Sequence, residues 1–335
     1  MRCYEIAAGS TSLEGLKRAE RPDPRPSARE VLVRVRACSL NYRDQAVVTG
    51  NYFGGSVQRN TIPLSDGAGE VVAIGPAVTR FQVGDRVAGT FFQTWIDGPP
   101  RRAPALGSPL DGMLAEYVAL DEDGVVPIAS TLSYEEAACL PCAGVTAWHA
   151  LASGKRLLPG DVVLAIGTGG VAMLAVQIAS AMGARVVVTS SSDEKIARAK
   201  AIGAFGGVNY RTRPDWADGV LELTGGRGAD HVVELGGAGT LAQSFKALAM
   251  SGEINLIGVL AGHQGDTGPH ALMLKGGNMR GIFVGSAAMA TDLNRAIDAN
   301  GIKPVIGKTF GFDEARAAWE YALSPALFGK VVITV

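Results

Sequence analysis

The stretch "GTGGVA", from Gly167 to Ala172, contains the residues whose types and spacing point most directly to chemistry. It follows the apolar run "DVVLAI" and precedes "VAMLAVQIASAMG", whose apolar residues recur at helical spacing. In such a loop Gly167 permits a tight turn, Gly169 lets backbone N–H groups approach a pyrophosphate, and Ala172 allows close packing of helix on sheet. A strand before the loop and a helix after it predict a dinucleotide site at the helix N-terminus, rather than glycines that merely end a strand.

The end of the next strand indicates which dinucleotide is bound. An acidic residue usually stands there and accepts hydrogen bonds from the adenosine ribose, but "VVVTSSSDEK" has Ser190 at that position. Without the acid, a 2'-phosphate on the adenosine ribose is not repelled. Ser190 and Ser191 can donate hydrogen bonds to that phosphate, and Lys195 can reach it as a positive point charge. The pattern favours NADPH. The same residues are also typical of a simple helix start, in which serines cap the helix and Asp193 and Glu194 complement its dipole. A cofactor site and a helix start are compatible interpretations.

The composition limits the class of protein. With 335 residues, 47% hydrophobic and 19% charged, the chain can bury a sizeable core and is expected to form two domains. A net charge of -1 without long runs of like charge disfavours nucleic acid and anionic membranes as partners. Four cysteines do not make a disulfide framework, and the N-terminus "MRCYEIAAGS" lacks the apolar core of a signal peptide, so a cytoplasmic location is expected.

One uncharged segment, residues 162–184, is long enough to cross a bilayer. Gly167, Gly169 and Gly170 separate its β-branched first part from a second part with helical spacing. We therefore predict a buried strand, a tight turn and a buried helix, and no membrane span.

The hydrophobic pattern changes along the chain. Up to about residue 127, apolar and polar residues alternate and turn residues are frequent. In "VLVRVRA" three valines share one face and two arginines the other, as in a half-buried antiparallel strand of a small barrel or sandwich. From Asp161 onward, apolar runs without alternation, such as "ARVVVTS" and "DHVVELG", alternate with helical stretches. This second pattern predicts a doubly wound parallel sheet. The tail, "FDEARAAWEYALSPALFGKVVITV", is expected to return to the first domain.

Several motifs together resemble one family over the whole chain. They are "LNYRD", "DGAGEVVAIGPAVTRFQVGDRV", "PCAGVTAWHAL", the glycine loop, "VNYR" and "FGKVVI". The sequence resembles the medium-chain dehydrogenase/reductase superfamily, and within it the zinc-independent branch typified by NADPH:quinone oxidoreductases and zeta-crystallin. The resemblance implies an α/β protein: a GroES-like β-barrel catalytic domain (residues 1–127 and 285–335), and a Rossmann doubly wound parallel-sheet domain (residues 128–284), with the active site in the cleft.

The resemblance also bears on zinc. The positions that match the metal ligands of the zinc relatives hold Asn41, Ser65 and Asp66, with Cys142 at the last one. Catalytic zinc needs three protein ligands and prefers thiolate or imidazole donors, which are largely missing. The cysteines of the structural zinc lobe are also missing, so we expect no zinc.

By resemblance, the substrate pocket would contain Asn41 and Tyr52, with Tyr42, Arg43 and Asp44 as further candidates. The cofactor residues implied in the same way are Thr146 near the nicotinamide; Gly167, Thr168, Gly169, Gly170 and Val171 at the pyrophosphate; Ser190, Ser191, Lys195 and Tyr210 around the 2'-phosphate and adenosine; and Gly258, Val259, Leu260, Phe283, Val284, Gly285, Gly329 and Lys330 on the nicotinamide side.

The leading hypothesis is hydride transfer from NADPH to an electron-poor small molecule, a quinone or an α,β-unsaturated carbonyl, without zinc. The alternatives are an alcohol dehydrogenase or ketone reductase of the same superfamily, and a noncatalytic NADPH-binding protein like the lens crystallins. "CLPC", Cys139 to Cys142, is either a redox dithiol or, more simply, two small buried residues. The resemblance further implies a homodimer formed through the edge of the Rossmann sheet near "GIFVG".

Overall fold

The computed structural model describes residues 1–99, 103–262, 264–265, 268 and 270–335. These form two compact units, which we call the barrel unit (Met1–Val145 with Val284–Val335) and the Rossmann unit (Thr146–Phe283). The expected fold class, a GroES-like domain together with a Rossmann-like parallel sheet, is confirmed.

The barrel unit begins with short strands that turn often. Its elements up to Ala138 are β1 (Arg2–Ile6), β2 (Leu16–Glu20), β3 (Glu30–Leu40), α1 (Tyr42–Val48), β4 (Asp66–Ile74), β5 (Arg86–Gly89), β6 (Tyr117–Asp121), β7 (Val125–Pro127) and α2 (Tyr134–Ala138). The predicted alternation along β3 is confirmed, because Val31, Val33 and Val35 are buried in the core while Arg34 is exposed. The chain then makes a π-helical turn, Leu140–Gly144, before the Rossmann unit.

The Rossmann unit alternates strands and helices, as its apolar runs predict. Its elements are α3 (Val145–Ala152), β8 (Val162–Ile166), α4 (Gly170–Ala181), β9 (Arg185–Ser190), α5 (Asp193–Ala201), β10 (Ala204–Asn209), α6 (Trp216–Leu223), β11 (Ala229–Glu234), α7 (Ala238–Ala247), β12 (Leu248–Leu256), α8 (His270–Leu274) and β13 (Asn278–Gly281). The strands form one six-stranded parallel sheet in the order β10-β9-β8-β11-β12-β13. The strand order reverses next to β8, and in such sheets ligands bind at the carboxyl ends of the strands near that point.

The predicted strand, turn and helix at residues 162–184 are confirmed, since β8 and α4 lie there with the glycine loop between them. Among the described residues, we find no helix with the length and apolar character needed to cross a membrane.

The end of the chain belongs to the barrel unit, as expected. It contributes α9 (Ala287–Asn300), β14 (Ile306–Gly311), α10 (Ala315–Ala322) and β15 (Lys330–Thr334). Strand β15 pairs with β3 in a seven-stranded sheet of order β14-β15-β3-β4-β5-β7, in which β6 also pairs with β3.

The structure moves the first domain boundary. The sequence places residues 128–145 in the Rossmann domain, whereas they belong to the barrel unit, which ends this segment at Val145. Helix α2 packs against β3 and β4, and Asp298 of α9 accepts hydrogen bonds from the backbone N–H groups of Ser130 (3.0 Å) and Thr131 (3.1 Å). These contacts hold the segment on the barrel unit, and they involve residues too distant in sequence for a pattern to reveal.

Candidate functional site

The glycine loop has the geometry of a phosphate-binding turn. Gly167 directly follows β8 and has φ +88°, a left-handed conformation that favours glycine, and its N–H donates to Thr189 Oγ1 (3.2 Å) on β9. Gly169 is the N-cap of α4, and a Cβ added there would meet no atom within 4 Å. That open space adjoins the first N–H groups of α4, which have no partners within the helix. The residues present therefore fit the pyrophosphate of a dinucleotide.

The predicted 2'-phosphate residues are brought together at the ends of β9 and β10. Ser190 is the last residue of β9, and its carbonyl accepts a hydrogen bond from Tyr210 N–H (2.9 Å). Ser190 Oγ accepts from Ser192 N–H (3.3 Å), and Ser192 Oγ accepts from Lys195 N–H (3.3 Å) as the cap of α5. Among the three serines it is thus Ser192 that starts the helix, which leaves Ser191 out of the capping interaction.

A group of cations surrounds this strand end. Burial lowers the pKa of Lys195, and Arg198 and Arg211 lower it further, while Glu194 opposes them. The effect of both guanidinium groups on Lys195 places them near it, so the three cations can act on the same anion. Sequence reasoning missed Arg198 and Arg211 as candidates, although Arg211 ends the motif "VNYR" that was used for the resemblance.

The predicted nicotinamide-side turn lies after β12. Gly258 N–H donates to Glu234 O (3.2 Å) and Leu260 N–H donates to Leu235 O (3.2 Å), while Val259, Leu260 and Phe283 remain exposed. Thr146 is buried on α3.

A buried carboxylate that the sequence gave no reason to single out fixes the neighbouring turn. Glu234 Oε1 accepts hydrogen bonds from Gly236 N–H (2.8 Å), Gly237 N–H (3.1 Å) and Thr240 Oγ1 (2.6 Å), and its Oε2 accepts from Ser244 Oγ. These bonds tie the loop after β11 to α7. Because the carbonyls of Glu234 and Leu235 hold the 258–260 turn, Glu234 indirectly fixes the predicted nicotinamide side.

In the barrel unit, three strand ends meet at one point. Ser39 of β3 pairs with Asp66 of β4, and Leu40 of β3 pairs with Val331 of β15. The residue after β3, Asn41, therefore lies next to the first residues of β4 and β15, which are Asp66 and Lys330. Sheet register, rather than closeness in sequence, assembles this group.

The Lys330 side chain is buried and hydrogen-bonded inside the barrel unit. Its side chain is 3% exposed, and Nζ donates to Leu40 O (2.7 Å) and Asn41 Oδ1 (2.6 Å) and lies 3.6 Å from Asp66 Oδ2. Gly329, with φ +70°, leads into it, and an added Cβ there would collide with the Val305 carbonyl oxygen. Lys330 and Gly329, expected on the cofactor, are thus placed by contacts within the barrel unit.

Asp66 is fully buried and is the centre of this group. It accepts hydrogen bonds from Ser65 Oγ (2.7 Å) and from Cys142 N–H (3.2 Å) in the π-helical turn. In a regular helix Cys142 N–H would bond to Ala138 O, which here accepts from the Ser39 hydroxyl (2.8 Å). We call Asn41, Ser65, Asp66, Cys142 and Lys330 the Asp66 cluster.

The backbone just before β4, next to the cluster, is strained. Leu64 immediately precedes Ser65 and Asp66, is fully buried and has φ +70°. A non-glycine residue in this conformation costs about 1–2 kcal/mol. Such strain is typical of functional sites.

The remaining predicted substrate residues lie on α1 and its surroundings. Asp44 Oδ2 accepts from Asn41 N–H (2.7 Å), and burial raises the pKa of Asp44 from 3.8 to about 6. The Arg43 guanidinium lies 4.8 Å from the ring centroids of both Tyr52 and Phe91, and burial raises the pKa of Tyr52. Tyr42, by contrast, is 60% exposed, so the structure does not bring it together with the other four.

The Asp66 cluster does not fit catalytic zinc. Asn41 and Asp66 already have the Lys330 ammonium between them, and burial together with the Asp66 charge raises the pKa of the Cys142 thiol, which disfavours the thiolate a metal needs. Within the described ranges, no group of three or more His, Cys, Asp or Glu residues is arranged to hold a metal ion.

The "CLPC" motif lies in the same turn. Burial raises the pKa of Cys139 to about 12 and raises that of Cys142 as well, and no disulfide joins the four cysteines, all of which are described. Both thiols therefore stay protonated near neutral pH, which favours the interpretation as small buried residues over a reactive dithiol.

Comparison with known proteins agrees with this architecture. The family model for the alcohol dehydrogenase GroES-like domain matches residues 27–130, and that for zinc-binding dehydrogenases matches residues 170–299. A zinc-type alcohol dehydrogenase-like protein of Schizosaccharomyces pombe is 43% identical over 317 residues, covering 91% of each chain. A quinone oxidoreductase of Pseudomonas aeruginosa is 30% identical over 318 residues, covering 92% of each.

Solved structures give the same result. A Sinorhizobium meliloti protein assigned as an alcohol dehydrogenase is 43% identical with a TM-score of 0.93, covering 100% of this chain and 99% of its own. An NAD-dependent alcohol dehydrogenase is 34% identical with a TM-score of 0.91 and full coverage of both chains (100%). A quinone oxidoreductase of Pseudomonas syringae is 28% identical with a TM-score of 0.83, again with 100% coverage of both. The chain belongs to the medium-chain dehydrogenase/reductase superfamily of oxidoreductases, and its quinone oxidoreductase relatives support a place in the quinone oxidoreductase-like branch.

Proposed function

We propose that the protein is an NADPH-dependent reductase that transfers hydride, without zinc, to a quinone or an α,β-unsaturated carbonyl compound. The observation that carries this proposal is Asn41 Nδ2, a buried hydrogen-bond donor without a partner among the described residues, beside a lysine where zinc relatives have their metal. Such a donor suits the carbonyl oxygen of an electron-poor acceptor.

The cofactor part of the proposal rests on the Rossmann unit. The glycine loop would hold the pyrophosphate, and Ser191, Lys195 and Arg211 would surround a 2'-phosphate at the end of β9. Bound NADPH would supply the hydride. Because the end of β9 carries a serine and not an acid, nothing at that position repels the extra phosphate.

The barrel unit would act on the acceptor. When the β-carbon of an enone gains a hydride, the electron pair of its C=C bond forms a new double bond between the α-carbon and the carbonyl carbon. The π pair of the C=O bond moves to the oxygen, which gives an enolate. Asn41 Nδ2 would donate to that oxygen as its charge grows. The enolate then takes a proton from water or from the phenol of Tyr52, whose raised pKa keeps it protonated at neutral pH.

An alcohol dehydrogenase is the second candidate, because three of the relatives above carry that name. Oxidising an alcohol requires a metal or a base that removes the hydroxyl proton, and the Asp66 cluster does not fit zinc. A noncatalytic role would appear as tight NADPH binding without turnover.

A steady-state comparison tests these candidates. The purified protein is assayed with NADPH and NADH against 1,4-benzoquinone and cyclohex-2-enone, and with NADP+ and NAD+ against primary and secondary alcohols; bound metal is measured by mass spectrometry. We expect NADPH oxidation with the quinone or the enone, and activity that survives chelators. Metal-dependent alcohol oxidation alone, or no turnover with any acceptor, would contradict the proposal.

A variant pair tests the role of Asn41. Asn41→Asp keeps an oxygen for Lys330 but replaces the N–H donor by an acceptor, and should lower kcat with the enone about 100-fold, as the loss of one oxyanion donor does. Asn51→Asp alters an exposed asparagine of the same unit and should leave kcat unchanged. Equal activity of the two variants would remove Asn41 from the reaction.

We further propose that the protein is a homodimer formed through β13. Among the described residues, β13 pairs only with β12, so its other edge is free, and Met279 on it is 46% exposed. Met279→Glu should shift the protein to monomers in sedimentation experiments, whereas Phe205→Glu, on the opposite edge strand β10, should not. A monomeric parent protein would rule out the dimer.

A further inference from the structure

The orientation of the Asn41 side-chain amide is fixed by chemistry. An ammonium group carries only hydrogen-bond donors, so the Asn41 atom 2.6 Å from Lys330 Nζ must be the oxygen. Nδ2 therefore lies on the other side of the amide, where it is buried and has no acceptor within the described parts of the chain. A buried amide N–H without a partner is destabilising, and a ligand oxygen that accepts its hydrogen bond would relieve this cost.

Among the described residues, Arg43 Nε and Gln45 Oε1 on α1 are also buried without a partner, whereas the groups that hold Asn41 are engaged. Its backbone N–H donates to Asp44 Oδ2 (2.7 Å), which fixes the start of α1. Lys330 Nζ is itself held by Leu40 O (2.7 Å) and by the charge of Asp66, and Asp66 is held by Ser65 Oγ and Cys142 N–H. Within this network Asn41 Nδ2 is left as a donor without a partner among the described residues, and a ligand acceptor would supply one.

We propose that Lys330 is a positioning residue: its ammonium fixes the Asn41 amide so that Nδ2 donates to the carbonyl oxygen of the substrate. This inference rests on the proposed reduction of quinones or enones. It differs from the role that the resemblance implies for Lys330, which is direct contact with the cofactor.

The cation has a second consequence for Asn41. Hydrogen bonds in a chain polarise one another, so a cation on Oδ1 makes the Nδ2 hydrogens stronger donors. An enolate or semi-reduced quinone oxygen carries more negative charge than the starting carbonyl. Lys330 therefore assists the transition state more than substrate binding, and its loss should lower kcat more than it raises KM.

A double-mutant cycle separates this role from cofactor binding. Lys330→Met should lower kcat with cyclohex-2-enone about 100-fold, the scale of a misplaced catalytic group, and should leave the NADPH dissociation constant from fluorescence titration within about twofold. In an Asn41→Ala background, the same change should have little further effect on kcat, because both variants remove one interaction. Additive losses in the cycle, or a large loss of NADPH affinity, would overturn the positioning role.

Three further variants guard against a folding artefact. Lys330→Met leaves the buried Asp66 without its cation. The double variant with Lys330→Met and Asp66→Asn removes this uncompensated charge and should show the same loss of kcat as Lys330→Met alone. Lys330→Arg, whose guanidinium is also donor-only, should recover at least part of the activity. Lys308→Met, which alters an exposed lysine on β14, is the matched control and should behave as the parent.

A readout without turnover distinguishes this inference from the proposed function. In protein labelled with 15N-asparagine, the Nδ2 signals of Asn41 are assigned by their disappearance in Asn41→Ala. Adding cyclohex-2-enone to the oxidised, nonreacting complex with NADP+ should shift these signals in the parent and in Lys330→Arg, and not in Lys330→Met. Equal shifts in all three would overturn the role of Lys330, whereas absent turnover with a Lys330-dependent shift would overturn only the proposed reaction.

Discussion

The glycine loop of the Rossmann unit and the Asp66 cluster of the barrel unit are built from different parts of the chain. The loop is one continuous stretch, Gly167 to Ala172, whose backbone N–H groups and glycines make the candidate site. The cluster combines side chains with the Cys142 N–H from four distant segments, which the register of β3, β4 and β15 and a π-helical turn bring together.

This difference predicts opposite sensitivities. Cofactor binding at the loop should be weakened by any atom added to it and should hardly respond to changes of side-chain charge elsewhere. The cluster should tolerate changes of size better than changes in the number of donors or charges, because each buried polar group there has a named partner. Substitutions in the two regions therefore separate the contribution of shape from that of charge.

The largest expected effect is at the loop. Gly169 has φ −81° and ψ −171°, an extended conformation that valine adopts readily, and a Cβ there meets no protein atom. Gly169→Val should thus fold normally but fill the space next to the α4 N–H groups. We expect NADPH affinity to fall by about 3 kcal/mol or more, the scale of two charge-assisted hydrogen bonds, in a fluorescence titration.

The control for this variant is Gly311→Val in the barrel unit. Gly311 is also extended, and its Cβ would make only an ordinary contact of 3.5 Å with Glu314 Oε2. Its NADPH affinity should match the parent. An unchanged affinity in Gly169→Val would show that the dinucleotide does not lie on this loop.

A smaller effect is expected where the Rossmann unit does use a side chain. Lys195→Ala should weaken NADPH by about 1.5 to 3 kcal/mol, as for one charge-assisted hydrogen bond, and leave NADH nearly unchanged. Isothermal titration with both cofactors measures the difference. Lys200→Ala, an exposed lysine further along α5, is the control, and equal losses for NADPH and NADH in Lys195→Ala would contradict the 2'-phosphate assignment.

The same contrast explains what the sequence can predict. The loop, the parallel sheet and the strand end at Ser190 were predictable because glycine spacing and apolar runs are local signals of backbone structure. Arg198 and Arg211 were missed as candidates for the proposed phosphate site because charged residues on a helix and after a strand are usually just solvated.

The contacts of the Asp66 cluster were not predictable in the same way. Motif matching found Asn41, Ser65, Asp66 and Cys142, but nothing local shows that Lys330 lies between Asn41 and Asp66. That contact depends on β15 pairing with β3, a pairing between residues nearly 300 positions apart. Side-chain networks across strands need the register, which sequence patterns define only weakly.

The smallest of the three effects is a pH dependence confined to the barrel unit. Burial raises the pKa of Asp44 from 3.8 to about 6, so between these values the folded protein binds a proton that the unfolded chain has lost. Stability from this group is therefore largest at low pH and is lost as the pH rises through 6. Between pH 5 and pH 7.5 the free energy of unfolding should fall by about 1.4 kcal/mol on this account.

Asp44→Asn isolates that contribution. The amide oxygen of asparagine can still accept the hydrogen bond from Asn41 N–H, so the start of α1 keeps its cap while the buried charge is removed. Urea unfolding at pH 5 and pH 7.5 should show that the variant loses about 1.4 kcal/mol less than the parent over this range. Gly169→Val, which changes no titratable group, should instead follow the parent at both pH values. If Asp44→Asn follows the parent as well, the buried carboxylate is ionised throughout, and the barrel unit must stabilise its negative charge far better than its burial implies.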